Sequence, residues 1–251
     1  MKILNLNCQH GEQPHLKDFL EKTMLAETYD FLILQEVNEK VLAFLHQSPY
    51  KTIHAFNKET GQNSEVCIVH RIKYSPLKTD FKSFAFMHRD PVFGFKHPCI
   101  GMLWADFLIE EKIMRIASIH LHSGIHRNVR ITELKLAKNL LLSNISGPVM
   151  LAGDFNSGWS EERINNAKAL APEFAWITKD LGPTLDSRYC ENVAHLPNRI
   201  AALLGIFNIG IQLRTDHIFV DKETACTSNI KCNILSDRVS DHNPVECVIK
   251  N

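Results

Sequence analysis

The chain carries no surplus of either charge: Lys and Arg together number 28, and so do Asp and Glu. That excludes a global basic field drawing in nucleic acid from a distance, while leaving room for a local basic patch. Cysteines spaced for a zinc ribbon are missing too. The seven present are scattered without one Cys-x-x-Cys, and their odd number speaks against a disulfide framework. Reduced thiols in a cytosol-like compartment are the expectation. No signal-peptide core is seen, since Met1-Lys2-Ile3-Leu4-Asn5 leads straight into a strand pattern. The longest apolar stretch, Ile200 to Leu213, is broken by Asn208 and Gln212 and is too short to span a bilayer. Linkers, low-complexity tracts, long charge runs and short-period repeats are absent as well. These absences lead us to expect a soluble cytoplasmic protein, taken as a monomer, with one α/β domain over residues 1–251.

What is present centres on Pro148-Val149-Met150-Leu151-Ala152-Gly153-Asp154-Phe155-Asn156. A short apolar run bounded by Pro and Gly reads as a strand buried on both faces. Polar side chains just beyond such a strand are held rigidly yet remain accessible. Asp154 and Asn156 are two apart, so in extended backbone both project to one side. The carboxylate can take a proton or bind a metal, and the carboxamide can donate to a phosphate oxygen.

The same pattern recurs along the chain. Lys2 to Asn7, Phe31 to Leu34, Val66 to Val69, Met102 to Ile109, Ile113 to Ile119, Asp216 to Val220 and Val245 to Ile249 read as strands. Leu16 to Leu25, Val41 to Leu45, Arg130 to Leu142 and Ser160 to about Leu170 read as helices. Six strand ends or starts carry polar residues of matching kind: Asn7, Glu36, His120, Asp154 with Asn156, Asp216, and Asp241 with His242. If these edges converge, they line a cleft with carboxylates, amides and two imidazoles.

Leu4-Asn5-Leu6-Asn7, Leu34-Gln35-Glu36-Val37, Ser118-Ile119-His120-Leu121, Gly153-Asp154-Phe155-Asn156, Arg214-Thr215-Asp216-His217-Ile218 and Ser240-Asp241-His242-Asn243-Pro244 resemble the successive motifs of the endonuclease/exonuclease/phosphatase family. The first departs from the pattern, with Leu6 where many members have Trp. The resemblance implies a four-layer αββα sandwich of two packed mixed sheets flanked by helices. It also implies hydrolysis of a phosphoester with Mg²⁺, for which Mn²⁺ can substitute, a hard ion suited to carboxylates and phosphate oxygens. On that reading Glu36 is the principal metal ligand, with Asn7 and Asp241 beside it. Asp154 orients and deprotonates the attacking water, the alternative base being His242. Asn156, Asn7 and His120 hold phosphate oxygens, and Asp216 fixes the tautomer of His242.

Substrate class is less sharply written. His120, His122, His126, Arg127 and Arg130 form a locally basic run without an acid, which makes Arg127 a candidate substrate contact. Phe84, Phe86, Phe93 and Phe95, interleaved with His88, Arg89, Lys96 and His97, offer stacking and phosphate contacts. The bland alternatives are a solvated helix start and an apolar loop packed on the core. Thr184-Leu185-Asp186-Ser187 and His120-Leu121-His122-Ser123 faintly resemble the tyrosyl-DNA phosphodiesterase branch of the family, although the aromatic usual after that Thr is absent. Nucleic acid or a nucleic-acid end is the expected substrate. A phospholipid or phosphoinositide is the alternative, and a catalytically silent phosphate-binding module the third reading.

Overall fold

The computed structural model describes residues 1–11, 13–56, 65–84, 101–122, 127–157, 160–186, 212–237 and 239–250. The chain opens with β1 (Lys2–Asn7), a 3-10 turn (Gln9–Gly11), α1 (Pro14–Leu25), β2 (Phe31–Val37), α2 (Glu39–His46), β3 (Tyr50–Phe56) and β4 (Glu65–Arg71). It continues through β5 (Pro76–Lys82), β6 (Gly101–Ile109), β7 (Lys112–His120), α3 (Arg127–Leu142), β8 (Val149–Asp154), α4 (Ser160–Leu170) and β9 (Phe174–Trp176). The remainder holds β10 (Leu185–Asp186), β11 (Gln212–Leu213), β12 (Asp216–Asp221), α5 (Lys222–Thr227), β13 (Asn229–Ile234) and β14 (Val245–Lys250).

The strands form two six-stranded mixed sheets, ordered β13-β14-β1-β2-β4-β3 and β5-β6-β7-β8-β12-β9, with β10 and β11 as a separate pair. Alternation along each central strand explains the layering. Ile3, Phe31, Ile33, Ile116, Met150, Ala152 and Ile218 pack between the sheets. Their sequence neighbours Leu4, Leu32 and Leu34 face the other way, against Leu16 and Leu20 of α1 and Val41 and Leu45 of α2. On the second sheet Ala117, Ile119 and Leu151 meet Leu134, Ala137 and Leu141 of α3 and Leu170 of α4. The four-layer αββα sandwich expected from the sequence is the fold found. Among the described residues no helix is long and apolar enough to cross a membrane.

Two details set up the site. The inter-sheet face turns from apolar to polar at one end, where Asn5, Gln35 and Ser118 are fully buried. The Gln35 amide nitrogen donates to Asn5 Oδ1 at 3.1 Å and to Ser118 Oγ at 3.2 Å, and the Ser118 hydroxyl donates to the Leu34 carbonyl at 3.2 Å. At the opposite end Arg115, 2% exposed, grips Asp106 with Nε at 2.7 Å and Nη2 at 2.9 Å. Its Nη1 donates to the carbonyls of Leu140, Leu141 and Ser143, which ties the C-terminus of α3 to β7.

Candidate active site

Strand direction decides which ends meet. β1 and β2 run parallel, as do β7 and β8, so each pair finishes at a common edge. β12 is antiparallel to β8 and β14 to β1, so these two contribute the residues where they begin. Asp216 thus lies opposite Asp154, and His120 lies opposite Asp154 on the other side. The two sheet edges touch where Asn7 Nδ2 donates to Asp154 Oδ2 at 3.0 Å. The same nitrogen donates to Glu36 Oε1 at 3.2 Å.

Glu36 reaches this edge through a break in pattern. Pairing of β2 with β4 shifts register between Leu34 and Val37, and Glu36 has φ +52°. The bulge lets Val37 return to the helix-side core beside Leu34 and turns Glu36 out of the alternation. Gly153 is needed for a different reason. A Cβ there would lie 1.9 Å from the Ile119 carbonyl oxygen, so only glycine lets β8 close on β7 just before Asp154.

The groups form one continuous network. His120 Nε2 lies 3.7 Å from both Glu36 Oε1 and Asp154 Oδ2. His242 Nδ1 and Asp216 Oδ2 are 2.7 Å apart, and the Thr215 hydroxyl donates to the same carboxylate at 3.1 Å. His242 Nε2 faces Asp154 Oδ2 at 4.0 Å and Asp241 Oδ1 at 3.9 Å. Burial pushes the Asp154 carboxyl above the usual carboxylate range, reinforced by Asp216 and opposed by His242 and His120. Burial pushes Asp216 upward too, but the His242 charge and hydrogen bonds from His242, Thr184 and Thr215 outweigh it and hold the group low. For His242 burial opposes the charge, yet Asp216, Asp241 and Asp154 hold the ring well above the ordinary imidazole value. These carboxylates favour the imidazolium form of His242, and its Nε2 lies between Asp154 and Asp241, both too distant for hydrogen bonds. His217 contrasts with it. Burial against the edges of Phe155 and Trp176 drives its pKa down to about 3, so that ring is neutral core.

One atom each of Glu36, His120 and Asp154 lie within 4.8 Å of one another, and this donor set can hold a divalent ion. Two carboxylates suit a hard cation, and the Asn7 amide protons directed at both oxygens mark a spot that already attracts positive charge. The Asn7 orientation is fixed, because its Oδ1 accepts the Gln9 N–H at 2.9 Å. Asn7 therefore offers donors here, and the oxygens available to an ion are those of Glu36 and Asp154.

The family profile of the "Endonuclease/Exonuclease/phosphatase family" matches residues 4–242. The chain belongs to this family. Among solved structures it is similar to TDP2 of D. rerio complexed with single strand DNA product, at 16% identity and TM-score 0.74, covering 100% of this chain and 99% of that one. It is also similar to a mannosyl-6-phosphatase of Bacteroides thetaiotaomicron, at 15% identity and TM-score 0.71 with both chains fully covered. Beta toxin 275-280 from Staphylococcus aureus, at 17% identity and TM-score 0.71, likewise covers both chains fully. No curated protein matches.

In this family member, Asn7, Glu36, His120, Asp154, Asp216, Asp241 and His242 share one network of close approaches. Asn156, with φ +48°, sits at its margin, its side-chain nitrogen donating to the Leu121 carbonyl at 2.8 Å and its N–H to Asp154 Oδ1 at 2.8 Å. Arg127 is not joined to that network among the described residues; it opens α3 and pairs with Glu161 of α4 at 2.9 Å. Besides His120, two described members of the basic run near it are buried. Arg130 is 1% exposed and pairs with Glu162 at 2.8 Å, while His122 is buried with its N–H donating to Glu133. The acids paired with Arg127 and Arg130 are Glu161 and Glu162 of α4, 34 and 32 residues further along the chain. His126, the aromatic and basic positions from Phe86 to His97, and the apolar run up to residue 211 lie outside the described residues.

The supports of the site were harder to foresee. The Thr184 hydroxyl accepts the N–H groups of Thr215 and Asp216, each at 3.1 Å, holding the start of β12. Gln9 Oε1 accepts the Asp241 N–H at 3.3 Å, joining the loop after β1 to the loop before β14. Ser240 Oγ accepts the His242 N–H at 3.2 Å. Thr184 and Ser240 stood within motifs already singled out. Gln9 had only its position after Asn7 to draw notice.

Proposed function

We propose that this chain is a divalent-metal-dependent phosphodiester hydrolase acting on nucleic acid or a nucleic-acid end. The observation that carries the reading is the meeting of Glu36, His120 and Asp154, with His242 Nε2 4.0 Å from Asp154 Oδ2. Glu36 is the principal holder of Mg²⁺ or Mn²⁺, with Asp154 and His120 within reach and Asp241 beyond His242. The bound ion supplies charge neutralisation at the phosphate. Asp154, whose raised pKa suits a base, takes a proton from the attacking water. A bond forms between that water oxygen and phosphorus, the bond to the ester oxygen breaks, and the leaving oxygen takes a proton from solvent. Asn156 and the His242 Nε2–H donate to phosphate oxygens as charge develops, and Asp216 keeps His242 protonated and aimed. Asn7 holds the Glu36 and Asp154 carboxylates in place with its two amide protons. Arg127 contacts the substrate beyond the scissile phosphate.

Nucleic acid is favoured because one of the similar structures, TDP2, holds a single strand DNA product. The test is a panel run with wild type and Asp154→Ala in parallel: a 5′-tyrosyl oligonucleotide, plasmid DNA, a phosphoinositide, sphingomyelin, a hexose 6-phosphate and bis-p-nitrophenyl phosphate, with Mg²⁺ or Mn²⁺. Turnover of the DNA substrates, lost in Asp154→Ala, is expected. Turnover confined to lipid or hexose phosphate would reassign the substrate, and no turnover at any metal concentration would leave a phosphate-binding module.

A further inference from the structure

Directly beneath the proposed metal donors lies a polar layer that the chemistry above does not use. Asn5, Gln35 and Ser118 are all fully buried, on strands β1, β2 and β7. Asn5 and Ser118 stand two residues below Asn7 and His120, and Gln35 adjoins Glu36, so the layer lies about one side-chain repeat, ~7 Å, under the site. The Gln35 nitrogen spans the gap between the sheets, donating to Asn5 Oδ1 at 3.1 Å and across to Ser118 Oγ at 3.2 Å.

The direction of these bonds follows from proton counting. Ser118 gives its single hydroxyl proton to the Leu34 carbonyl at 3.2 Å, so toward Gln35 it can only accept. That places Gln35 Nε2, and not Oε1, against Ser118, and Asn5 must then present its oxygen. Gln35 is held by its backbone as well, since its carbonyl accepts the Cys8 N–H at 2.8 Å. Asn5 Nδ2 and Gln35 Oε1 are buried with no hydrogen-bond partner among the described residues, a desolvation penalty that apolar residues would avoid.

From this placement we infer that Gln35 is a positioning residue: its bridge to Ser118 sets the spacing between the sheet carrying Asn7 and Glu36 and the sheet carrying His120 and Asp154. The inference rests on the metal-site reading of the proposed function. The donor atoms that must gather around an ion come from both sheets, and the Gln35–Ser118 bridge is a direct cross-sheet tie at their base. Glu36 follows Gln35 through a left-handed turn of the backbone, so a shift of the Gln35 side chain is passed to the carboxylate with little to absorb it.

The test is Mn²⁺ binding by calorimetric titration, read alongside thermal unfolding of the metal-free protein, for wild type, Gln35→Leu, Ser118→Ala, the double variant, Glu36→Ala and Arg115→Leu. Glu36→Ala assigns the binding to this site by abolishing it. Gln35→Leu is expected to weaken Mn²⁺ binding about 10- to 100-fold, the usual effect of removing an outer partner of a metal ligand. Ser118→Ala removes the same bridge together with the hydroxyl bond to the Leu34 carbonyl, so it too is expected to weaken binding. The double variant is expected to lose less than the product of the two single losses. Arg115→Leu loosens the same sandwich from its other end and is expected to leave Mn²⁺ affinity unchanged. Wild-type affinity in Gln35→Leu, an equal loss in Arg115→Leu, or additive effects of the two bridge substitutions would each overturn the role. If Gln35→Leu does not fold, Ser118→Ala decides by the same measure, with unchanged affinity counting against the bridge. A wild-type chain that takes up no Mn²⁺ would defeat the proposed function and this role together, an outcome separable from binding that merely ignores Gln35.

Discussion

Two buried ion pairs stand at opposite ends of the second sheet, and they are built to different rules. Arg115 with Asp106 sits where Arg115 pairs with Val149, and His242 with Asp216 sits beside the Asp154 that pairs with His120. Both have a closest approach of 2.7 Å. Arg115 spends its Nε and Nη2 on Asp106 and its Nη1 on carbonyls at the end of α3. His242 spends Nδ1 on Asp216 and keeps Nε2–H aimed into the space beside Asp154, 4.0 Å away. A saturated pair can only hold the structure together, whereas a pair with one donor in reserve can act on a third party. Burial alone does not separate the two cases; what remains uncommitted does.

That contrast can be broken experimentally. The largest effect is expected at the site itself: Asp154→Ala and Glu36→Ala should each lose about 10²–10⁴-fold in kcat on whichever substrate the panel identifies, with the fold intact by circular dichroism. Arg115→Leu should do the reverse. It strands the Asp106 carboxylate and removes the donor to the Leu141 and Ser143 carbonyls, so denaturant unfolding should show a loss of about 3–5 kcal/mol, while kcat per folded molecule stays at the wild-type value. A matching loss of kcat would mean that the two ends are not independent.

Asp216→Asn falls between them. It should reduce kcat about 10- to 100-fold, as removal of an orienting partner does. It should also reshape the pH dependence of stability. The raised His242 pKa contributes stability that is complete below the unfolded value and is lost as pH rises through the folded one. The lowered Asp216 pKa contributes above its unfolded value and is lost as pH falls through the folded one. The pair therefore stabilises most between about pH 4 and about pH 6.5, and the variant should be weakest relative to wild type in that window. A stability difference that does not vary with pH would count against the charged pair.

The smallest effect is expected far from the site, at Asp30. Its carboxylate accepts the Lys2 N–H at 2.9 Å and the Tyr74 hydroxyl at 3.1 Å, with Lys73 at 3.2 Å. Burial pushes its pKa up, but these partners hold it below the usual carboxylate range. Asp30→Asn should cost about 1 kcal/mol at neutral pH, a deficit that closes as pH falls through the folded pKa, without touching kcat.

The sequence made the interior legible and the margins not. The central strands β1, β2, β4, β7, β8, β12 and β14 all match apolar runs in the sequence, because burial on both faces writes a continuous signal. Six strands drew no expectation: the two-residue strands β10 and β11, and β3, β5, β9 and β13, which are the edges of the two six-stranded sheets. Their residues face solvent at many positions, as in Pro76–Lys82, where all but Phe81 are exposed, and Asn229–Ile234, where exposed and half-buried positions alternate. Charges such as Lys78, Asp80 and Lys231 suit an edge that must not pair with a neighbour, and they erase the pattern that would reveal it. The site was readable for the same reason as the core, since each of its principal residues punctuates a buried run. Its supports at Gln9 and Thr215 lie in connections, where position depends on partners distant in the chain.

The backbone at Glu36 carries one more implication. A left-handed φ is uncomfortable for a glutamate and natural for glycine, which would relax that residue at a gain of about 1 kcal/mol. Under the proposed function, a Glu36→Gly chain should therefore melt higher than wild type and yet take up no Mn²⁺.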